Sequence, residues 1–219
     1  FHPQLADEPL IFVEVALTAE IPAAIAPLLD LERQPIAAKQ ARTAVFYSIS
    51  NTQRGLAGVS FGNFLIKQVV ELLKVELPGI RDFVTLSPVP GFAAWLKAQR
   101  EAEAVLALLS VPGWSDDAAA SAEISAALLP FAAQYFLQAR GKGGRPVDAV
   151  ARFHLGNGAR LERLNPLGDL SANGLRQSHG LMVNYLYDPG EIERNHEAFV
   201  ETGAIAASDA LRRALPNRT

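Results

Sequence analysis

Residues 43–87 read TAVFYSISNTQRGLAGVSFGNFLIKQVVELLKVELPGIRDFVTLS, and this stretch decides the fold. Thr43–Ser50 is rich in β-branched and aromatic residues, which predicts a strand. Residues 60–77 carry an apolar stripe with helical spacing and predict a helix. Residues 83–87 are again strand-like and are stopped by two prolines. A strand, a glycine-rich turn, a helix and a second strand in succession predict an α/β or α+β fold.

Outside this stretch, the sequence predicts further strands and several helices. Leu10–Leu17 is expected to form a mostly buried strand, and Leu181–Tyr187 a last one. Residues 150–155 and 159–165 are expected to pair as a hairpin, because Asn157-Gly158 is a strong turn signal. Helices are expected at 92–109, at 115–140 with a kink or break at Pro130, and from Glu191 onward.

Composition excludes several classes of function. The 219 residues suit one domain, or one domain and a fragment, and 49% of them are hydrophobic. A net charge of −3 offers no basic surface for nucleic acid. The chain has no cysteine, which excludes disulfides, zinc–thiolate sites and cysteine nucleophiles. The four histidines show no metal-ligand spacing, and no apolar run is long enough for a transmembrane helix.

The start of the chain is expected to be a cut. Residue 1 is Phe1, and the only methionine is Met182. We therefore expect the sequence to be a piece of a longer protein.

The junction at 53–62 (QRGLAGVSFG) is a candidate anion site. Its glycines let backbone N–H groups approach a ligand, and the helix that follows presents the positive end of its dipole. Phosphate or pyrophosphate is the natural guest of such a turn. The spacing fits neither a P-loop nor a dinucleotide-binding fingerprint. The alternative is a turn that only caps the helix.

Two polar residues stand out beyond that junction. Ser87 precedes Pro88 and is therefore held extended at the end of a strand. Its alternative role is that of a strand-ending serine bonded to its own backbone. In a strand, His154 would share a face with Val150 and Arg152, where it could meet either a ligand cleft or solvent.

Taken in order, the motifs of this chain resemble the malonyl-CoA decarboxylase family over about residues 7–188. Each motif is weak alone, but the ordered set is specific. The motifs are Phe46–Ser50, Gln53–Gly62 with Phe64–Lys67, Leu86–Phe92, Phe153–Leu155 with Asn157–Ala159, and Gly180–Met182 with Asn184, Tyr185 and Tyr187.

The resemblance implies a catalytic domain of the GNAT acyltransferase fold over residues 1–219. In that fold a mixed sheet flanked by helices splays open, and coenzyme A lies in the gap. Members of the family normally carry a helical N-terminal domain as well, and we expect this chain not to include it. The backbone cradle for the CoA pyrophosphate maps onto Ala57, Gly58, Val59, Ser60, Phe61, Gly62 and Asn63. Ser60 and Phe61 replace a Glu-Leu pair that is found in relatives.

The resemblance also implies that Ser87 and His154 form the catalytic pair. In the family the serine is described as a proton acceptor and the histidine as a proton donor. Which of the two protonates C2 of the product stays open at this point. Tyr187 is a weaker candidate for lining the site.

The implied reaction is the decarboxylation of malonyl-CoA to acetyl-CoA and CO2, with no cofactor beyond the CoA thioester of the substrate and no metal. The alternatives are a CoA-dependent acyltransferase and a non-catalytic CoA-binding module. The resemblance further implies a homo-oligomer, either a tetramer or a dimer. The balanced charge and the lack of a long apolar run predict that it binds neither nucleic acid nor membrane. The alanine-rich composition and the absence of a C-terminal Ser-Lys-Leu favour the cytoplasm of a bacterium.

Overall fold

The computed structural model describes residues 11–51 and 62–216, and in this part of the chain helices alternate with six strands. The strands are β1 (Ile11–Thr18), β2 (Thr43–Asn51), β3 (Asp82–Thr85), β4 (Ser87–Pro88), β5 (Arg160–Asn165) and β6 (Met182–Leu186). The helices are α1 (Ala26–Leu29), α2 (Gly62–Glu76), α3 (Phe92–Lys97), α4 (Glu103–Leu109), α5 (Ala118–Leu137), α6 (Ala149–Gly156), α7 (Ala172–Ser178), α8 (Ile192–Thr202) and α9 (Asp209–Arg213).

The described strands form one mixed sheet. β1 is antiparallel to β2, and β2 is parallel to β3. Both β3 and β4 pair with β6 in antiparallel fashion, and they keep the same register from Val84↔Leu186 to Pro88↔Met182. β5 pairs with the other side of β6. β4 therefore continues the line of β3 along one edge of β6.

The sheet opens between β2 and the β3–β4 line. Their parallel ladder runs from Thr43↔Asp82 to Phe46↔Thr85, and its last bond is donated by the Leu86 N–H to the Phe46 carbonyl at 3.2 Å. β2 then continues to Asn51 against β1, whereas β4 stays with β6. Pro88 has no backbone N–H for a further ladder. The gap that the family resemblance implies is therefore present.

The two faces of the sheet bury different cores. Successive residues of a strand point to opposite faces. Phe46 and Phe83 face the larger core, which the helices α2–α6, α8 and α9 help to form. Val45, Val84 and Leu86 face a smaller core, which the segment around α1 covers. This burial fixes which side chains of β2 and β3 point toward the helices.

The expected mixed α/β class is confirmed, and so are the strands around 11–18, 43–51 and 182–186 and the helix that ends at Glu76. The first strand is not mostly buried as expected, because only Ala16 among its residues 12–18 is buried. The helix expected at 92–109 is divided into α3 and α4. The predicted hairpin at 150–165 is wrong, because its first half is the helix α6. Asp148 caps this helix by accepting the Ala151 N–H at 2.7 Å. α5 runs unbroken through Pro130. The single C-terminal helix expected after Glu191 is divided into α8 and α9.

Gly158 joins α6 to β5 in a conformation that needs glycine. Its φ is +79°, and a Cβ atom there would lie 2.0 Å from the backbone carbonyl oxygen of Ile192 in α8. This glycine therefore sets how closely the end of α6 packs against α8.

We expect Gly158→Ala to lower the free energy of unfolding by about 2 kcal/mol or more, because backbone overlap adds to the cost of a left-handed φ. Gly113→Ala is the matched control, since its φ is +74° and a Cβ atom there would have no neighbour within 4 Å. The control should lose only about 1 kcal/mol. Urea denaturation measures both, and equal losses would contradict the packing argument.

Candidate active site

The gap between the diverging strands is a cleft of about 380 Å³. Residues 46–49 of β2 form one wall and residues 86–88 of the β3–β4 line form another. The third wall is α6, through Ala149, Val150, Phe153 and His154. None of the described residues that line the cleft has an acidic or a permanently cationic side chain.

Ser87 lies where the β3–β4 line leaves β2. The residue is only 5% exposed, and its hydroxyl donates to Thr85 Oγ1 at 2.9 Å. Thr85 Oγ1 also accepts the backbone N–H of Tyr185 on β6 at 3.2 Å. The Ser87 hydroxyl is therefore bonded to side chains, and its place is fixed by the pairing of the strands.

His154 lies on the face of α6 that meets the sheet. Val150 shares that face because residues four apart are neighbours on a helix, and Phe153 also lines the cleft. The imidazole Nε2 is 3.2 Å from Ser87 Oγ, and Nδ1 is 2.8 Å from the Tyr187 hydroxyl. The ring also stacks on Tyr185, with centroids 4.4 Å apart. Both ring nitrogens and one ring face of His154 are thus held by the protein.

The four side chains form one hydrogen-bonded row, in the order Thr85, Ser87, His154 and Tyr187. When Tyr187 donates to Nδ1, the proton of the neutral imidazole is on Nε2 and points toward Ser87. When Nδ1–H donates to Tyr187 instead, Nε2 accepts from Ser87 only if the hydroxyl turns its single proton away from Thr85. The bond from Ser87 to Thr85 therefore favours the first arrangement, in which Ser87 accepts from Nε2–H.

Burial makes this row electrically neutral. Loss of solvent lowers the pKa of His154 to about 3, so the imidazole is uncharged at neutral pH. The same loss of solvent raises the pKa of Tyr187, which keeps its phenol protonated. The site therefore meets a ligand with no ionised group in the row.

The sequence-predicted site residues divide into three groups. Ser87 and His154 meet at the cleft as expected, while their catalytic role stays a prediction. Tyr187 supports His154 from behind and is 1% exposed, so it does not line the cleft. Of the predicted pyrophosphate cradle, Gly62 and Asn63 stand at the start of α2, and the other members lie outside the described residues: Ala57, Gly58, Val59, Ser60 and Phe61.

Sequence reasoning missed Thr85 and Tyr185. Thr85 stands two residues before Ser87 and therefore shares its side of the strand, which is a signal that period-two alternation offers. Tyr185 contacts His154 from 31 positions away in the sequence, and no local pattern marks such a contact.

Within residues 11–51 and 62–216, no group of three or more histidine, aspartate or glutamate side chains is arranged to hold a metal ion. None of the helices in these ranges is long and apolar enough to cross a membrane.

The depressed pKa of His154 makes stability depend on pH. Between about pH 3 and 6.5 the unfolded chain binds a proton at this residue and the folded chain does not. The free energy of unfolding should therefore fall as the pH drops below about 6.5, by at most about 1.4 kcal/mol per pH unit. Urea titrations at several pH values should show a shallower slope for His154→Phe. Burial also lowers the pKa of His179, and this residue contributes equally to the pH dependence of both proteins. If His154→Phe left the slope of unfolding free energy against pH unchanged, the imidazole of His154 would not be buried in its neutral form.

Comparison with known proteins adds independent evidence. The model of the family described as "Malonyl-CoA decarboxylase C-terminal domain" matches residues 1–219. A crystal structure of malonyl-CoA decarboxylase from Rhodopseudomonas palustris is 65% identical and superposes with a TM-score of 0.93 over 99% of this chain and 52% of that one. The corresponding structure from Agrobacterium vitis is 56% identical, with a TM-score of 0.93 over 99% of this chain and 56% of that one.

Among curated proteins, the mitochondrial malonyl-CoA decarboxylase of Anser anser anser is 35% identical over 240 residues, which cover 96% of this chain and 47% of the relative. The chain spans about half the length of the curated relatives it matches. The family model covers every residue of the sequence, and the cleft with its serine–histidine pair lies inside the matched region. This chain therefore belongs to the malonyl-CoA decarboxylase family, of which it represents the C-terminal domain.

Proposed function

We propose that this domain decarboxylates malonyl-CoA to acetyl-CoA and CO2. The observation that carries the proposal is the Ser87–His154 pair, buried and neutral at the wall of a cleft with no charged lining residue among those described. Membership of the family supplies the substrate. The alternative function, a CoA-dependent acyltransferase, would also need a second substrate that accepts the acyl group. The resemblance to an acyltransferase fold gives no reason to expect a binding site for such an acceptor.

The chemistry needs no electron sink beyond the substrate. The bond between C2 and the carboxylate carbon breaks, CO2 leaves, and the electron pair moves into the thioester to form an enolate. One proton then adds to C2, so the reaction consumes one proton for each malonyl-CoA. The protein has to orient the carboxylate, stabilise the enolate oxygen and deliver that proton.

His154 is the proposed proton donor. A malonyl carboxylate brought beside the imidazole raises its pKa, because an opposite charge nearby favours the protonated form. His154 then takes up one proton together with the substrate. When CO2 leaves, the negative charge moves to the thioester oxygen, and the imidazolium delivers its proton to C2 and returns to its neutral state.

Ser87 is the proposed anchor for the reacting group. Its hydroxyl lies 3.2 Å from His154 Nε2 and 2.9 Å from Thr85 Oγ1. In the empty site, the Ser87 oxygen accepts a hydrogen bond from Nε2–H. When substrate is bound, the hydroxyl forms a hydrogen bond with the malonyl group. A hydrogen bond that strengthens as the enolate forms lowers the barrier by several kcal/mol in comparable sites.

The CoA end of the substrate is proposed to bind at residues 57–63. The proposal rests on the glycine-rich sequence and on the family resemblance, since residues 57–61 lie outside the described part of the chain. We also propose, from the resemblance, that the protein is a homo-oligomer in the cytoplasm.

Ser87→Ala and His154→Ala should each lower kcat by about 10²- to 10⁴-fold, because one removes the hydroxyl that holds the reacting group and the other removes the proton donor. The double variant should lose little more than the worse single variant, since the two act as one unit. Release of acetyl-CoA and CO2 from malonyl-CoA measures the effect. Ser110→Ala, a change at an exposed serine outside the cleft, is the control and should retain normal kcat.

Near-normal turnover by both single variants would refute the catalytic assignment. A loss confined to substrate affinity would make the two residues ligands of the substrate and would refute their part in proton transfer. If the unmodified protein leaves malonyl-CoA intact, the proposed function itself fails.

Gly58→Val should weaken CoA binding by about tenfold or more while leaving the fold intact. A phosphate can approach backbone N–H groups only where no side chain blocks the way. Calorimetric titration with CoA measures the affinity, and circular dichroism checks the fold. Gly190→Val, in a turn outside the cleft, is the control. Unchanged CoA affinity in Gly58→Val would exclude the cradle.

A further inference from the structure

A buried hydrogen bond lies behind the cleft wall, between Tyr135 on α5 and Asp148 at the start of α6. The Tyr135 hydroxyl donates to Asp148 Oδ2 at 3.2 Å, and each residue is only 2% exposed. Neither side chain lines the cleft. Burial of a tyrosine hydroxyl and a carboxylate costs free energy, because both groups lose their contact with water. The surrounding contacts indicate a function for this hydrogen bond.

The Asp148 end of this bond controls α6. Asp148 Oδ1 accepts the backbone N–H of Ala151 at 2.7 Å and so caps the first turn of the helix. His154 stands six residues further along the same helix of eight residues. In so short a helix, the direction of the first turn also sets the position of His154.

The Tyr135 side chain packs against the segment that follows Ser87. The Tyr135 ring packs edge-on against Phe92, with centroids 5.5 Å apart, and lies 5.2 Å from the ring of Trp95. A Cβ atom on Gly91 would lie 2.7 Å from the Tyr135 hydroxyl. The tyrosine therefore fills the space beside the start of α3, five residues after Ser87.

We propose that Tyr135 and Asp148 are positioning residues that hold Ser87 and His154 at the separation which the reaction requires. The two residues join the element that follows the serine to the element that carries the histidine. Together with the Ser87–His154 contact, they close a ring of contacts around the cleft wall. The inference rests on the proposed function, because it concerns the geometry of that reaction.

The charge on Asp148 is part of this role, because an ionised carboxylate can accept from both Ala151 and Tyr135. Burial raises the pKa of Asp148, while the Ala151 and Val150 N–H groups, the Tyr135 hydroxyl and the charge of Arg152 oppose the rise. Burial first and the charge of Asp148 second raise the pKa of the Tyr185 phenol on β6. Removal of the Tyr135 hydroxyl should therefore raise the pKa of Asp148 further and weaken the cap at acidic pH.

The test compares Tyr135→Phe and Asp148→Asn with the unmodified protein. Each should lower kcat for malonyl-CoA by about 10- to 100-fold with KM changed less than about twofold, because misplacement by about 1 Å at a reacting pair costs up to about 10²-fold. Tyr135→Phe should also move the acidic limb of the kcat/KM profile to higher pH. Asp117→Asn is the matched control, since Asp117 caps α5 through Ala120 N–H at 2.8 Å and is exposed. This control should lose stability but retain kcat and the pH profile.

A second measurement does not depend on turnover. The ring ¹⁵N resonances of His154 report its tautomer and its hydrogen bonds, and they should shift in Tyr135→Phe but not in Asp117→Asn. Unchanged kcat, pH profile and His154 resonances in a folded Tyr135→Phe protein would overturn the inference. The proposed function would survive that result if Ser87→Ala still lowered kcat by the expected ~10²- to 10⁴-fold, and it would fail by itself if the unmodified protein were inactive. Should Asp148→Asn not fold, Tyr135→Phe alone decides the question.

Discussion

Backbone pairing between β2 and the β3–β4 line ends at the bond from the Leu86 N–H to the Phe46 carbonyl, and the geometry of the site depends on that end point. Up to this bond the two strands share a ladder and bury side chains on both faces of the sheet. Beyond it they have different partners, and a cleft replaces the ladder. Ser87 is the first residue after the point where the two strands diverge. Its strand conformation is maintained by β6, so the hydroxyl faces the cleft without a flexible loop beneath it.

The polar row across this cleft is consistent with the physics of burial. A buried hydroxyl or imidazole without a partner costs free energy, and each member of the row has at least one partner in the next. Thr85 has a double role, because the oxygen that accepts from Ser87 also accepts the backbone N–H of Tyr185. Thr85 Oγ1 therefore helps both to pair its strand with β6 and to orient the Ser87 side chain. A change at Thr85 would disturb both at once.

The sequence was sufficient to predict the two strands that border the cleft and the position of Ser87 at a strand end. Runs of β-branched and apolar residues favour a strand, and prolines end it, and both signals act within a few residues. The prediction failed at α6, where residues 151–155 alternate in polarity and resemble a strand as well as a short helix. Asn157-Gly158 indicated a hairpin turn, yet Gly158 at φ +79° ends a helix instead. The contact of His154 with Tyr185 and the bond of Tyr135 to Asp148 join distant parts of the chain, so no local pattern could predict them.

The difference between strand and helix at this place changes the chemistry of the cleft. A strand would have put Arg152 on the same face as His154. On the helix, Val150 stays beside His154, Phe153 joins the lining of the cleft, and the Arg152 guanidinium turns away to donate to the carbonyls of Pro146 and Val147, each at 2.8 Å. A guanidinium inside the cleft would stabilise the malonyl carboxylate before reaction and would oppose protonation of the imidazole. Because the Arg152 cation lies outside the cleft, the proposed mechanism leaves it to the substrate carboxylate to raise the pKa of His154. In that mechanism, protonation of His154 depends on the arrival of the carboxylate that is lost as CO2.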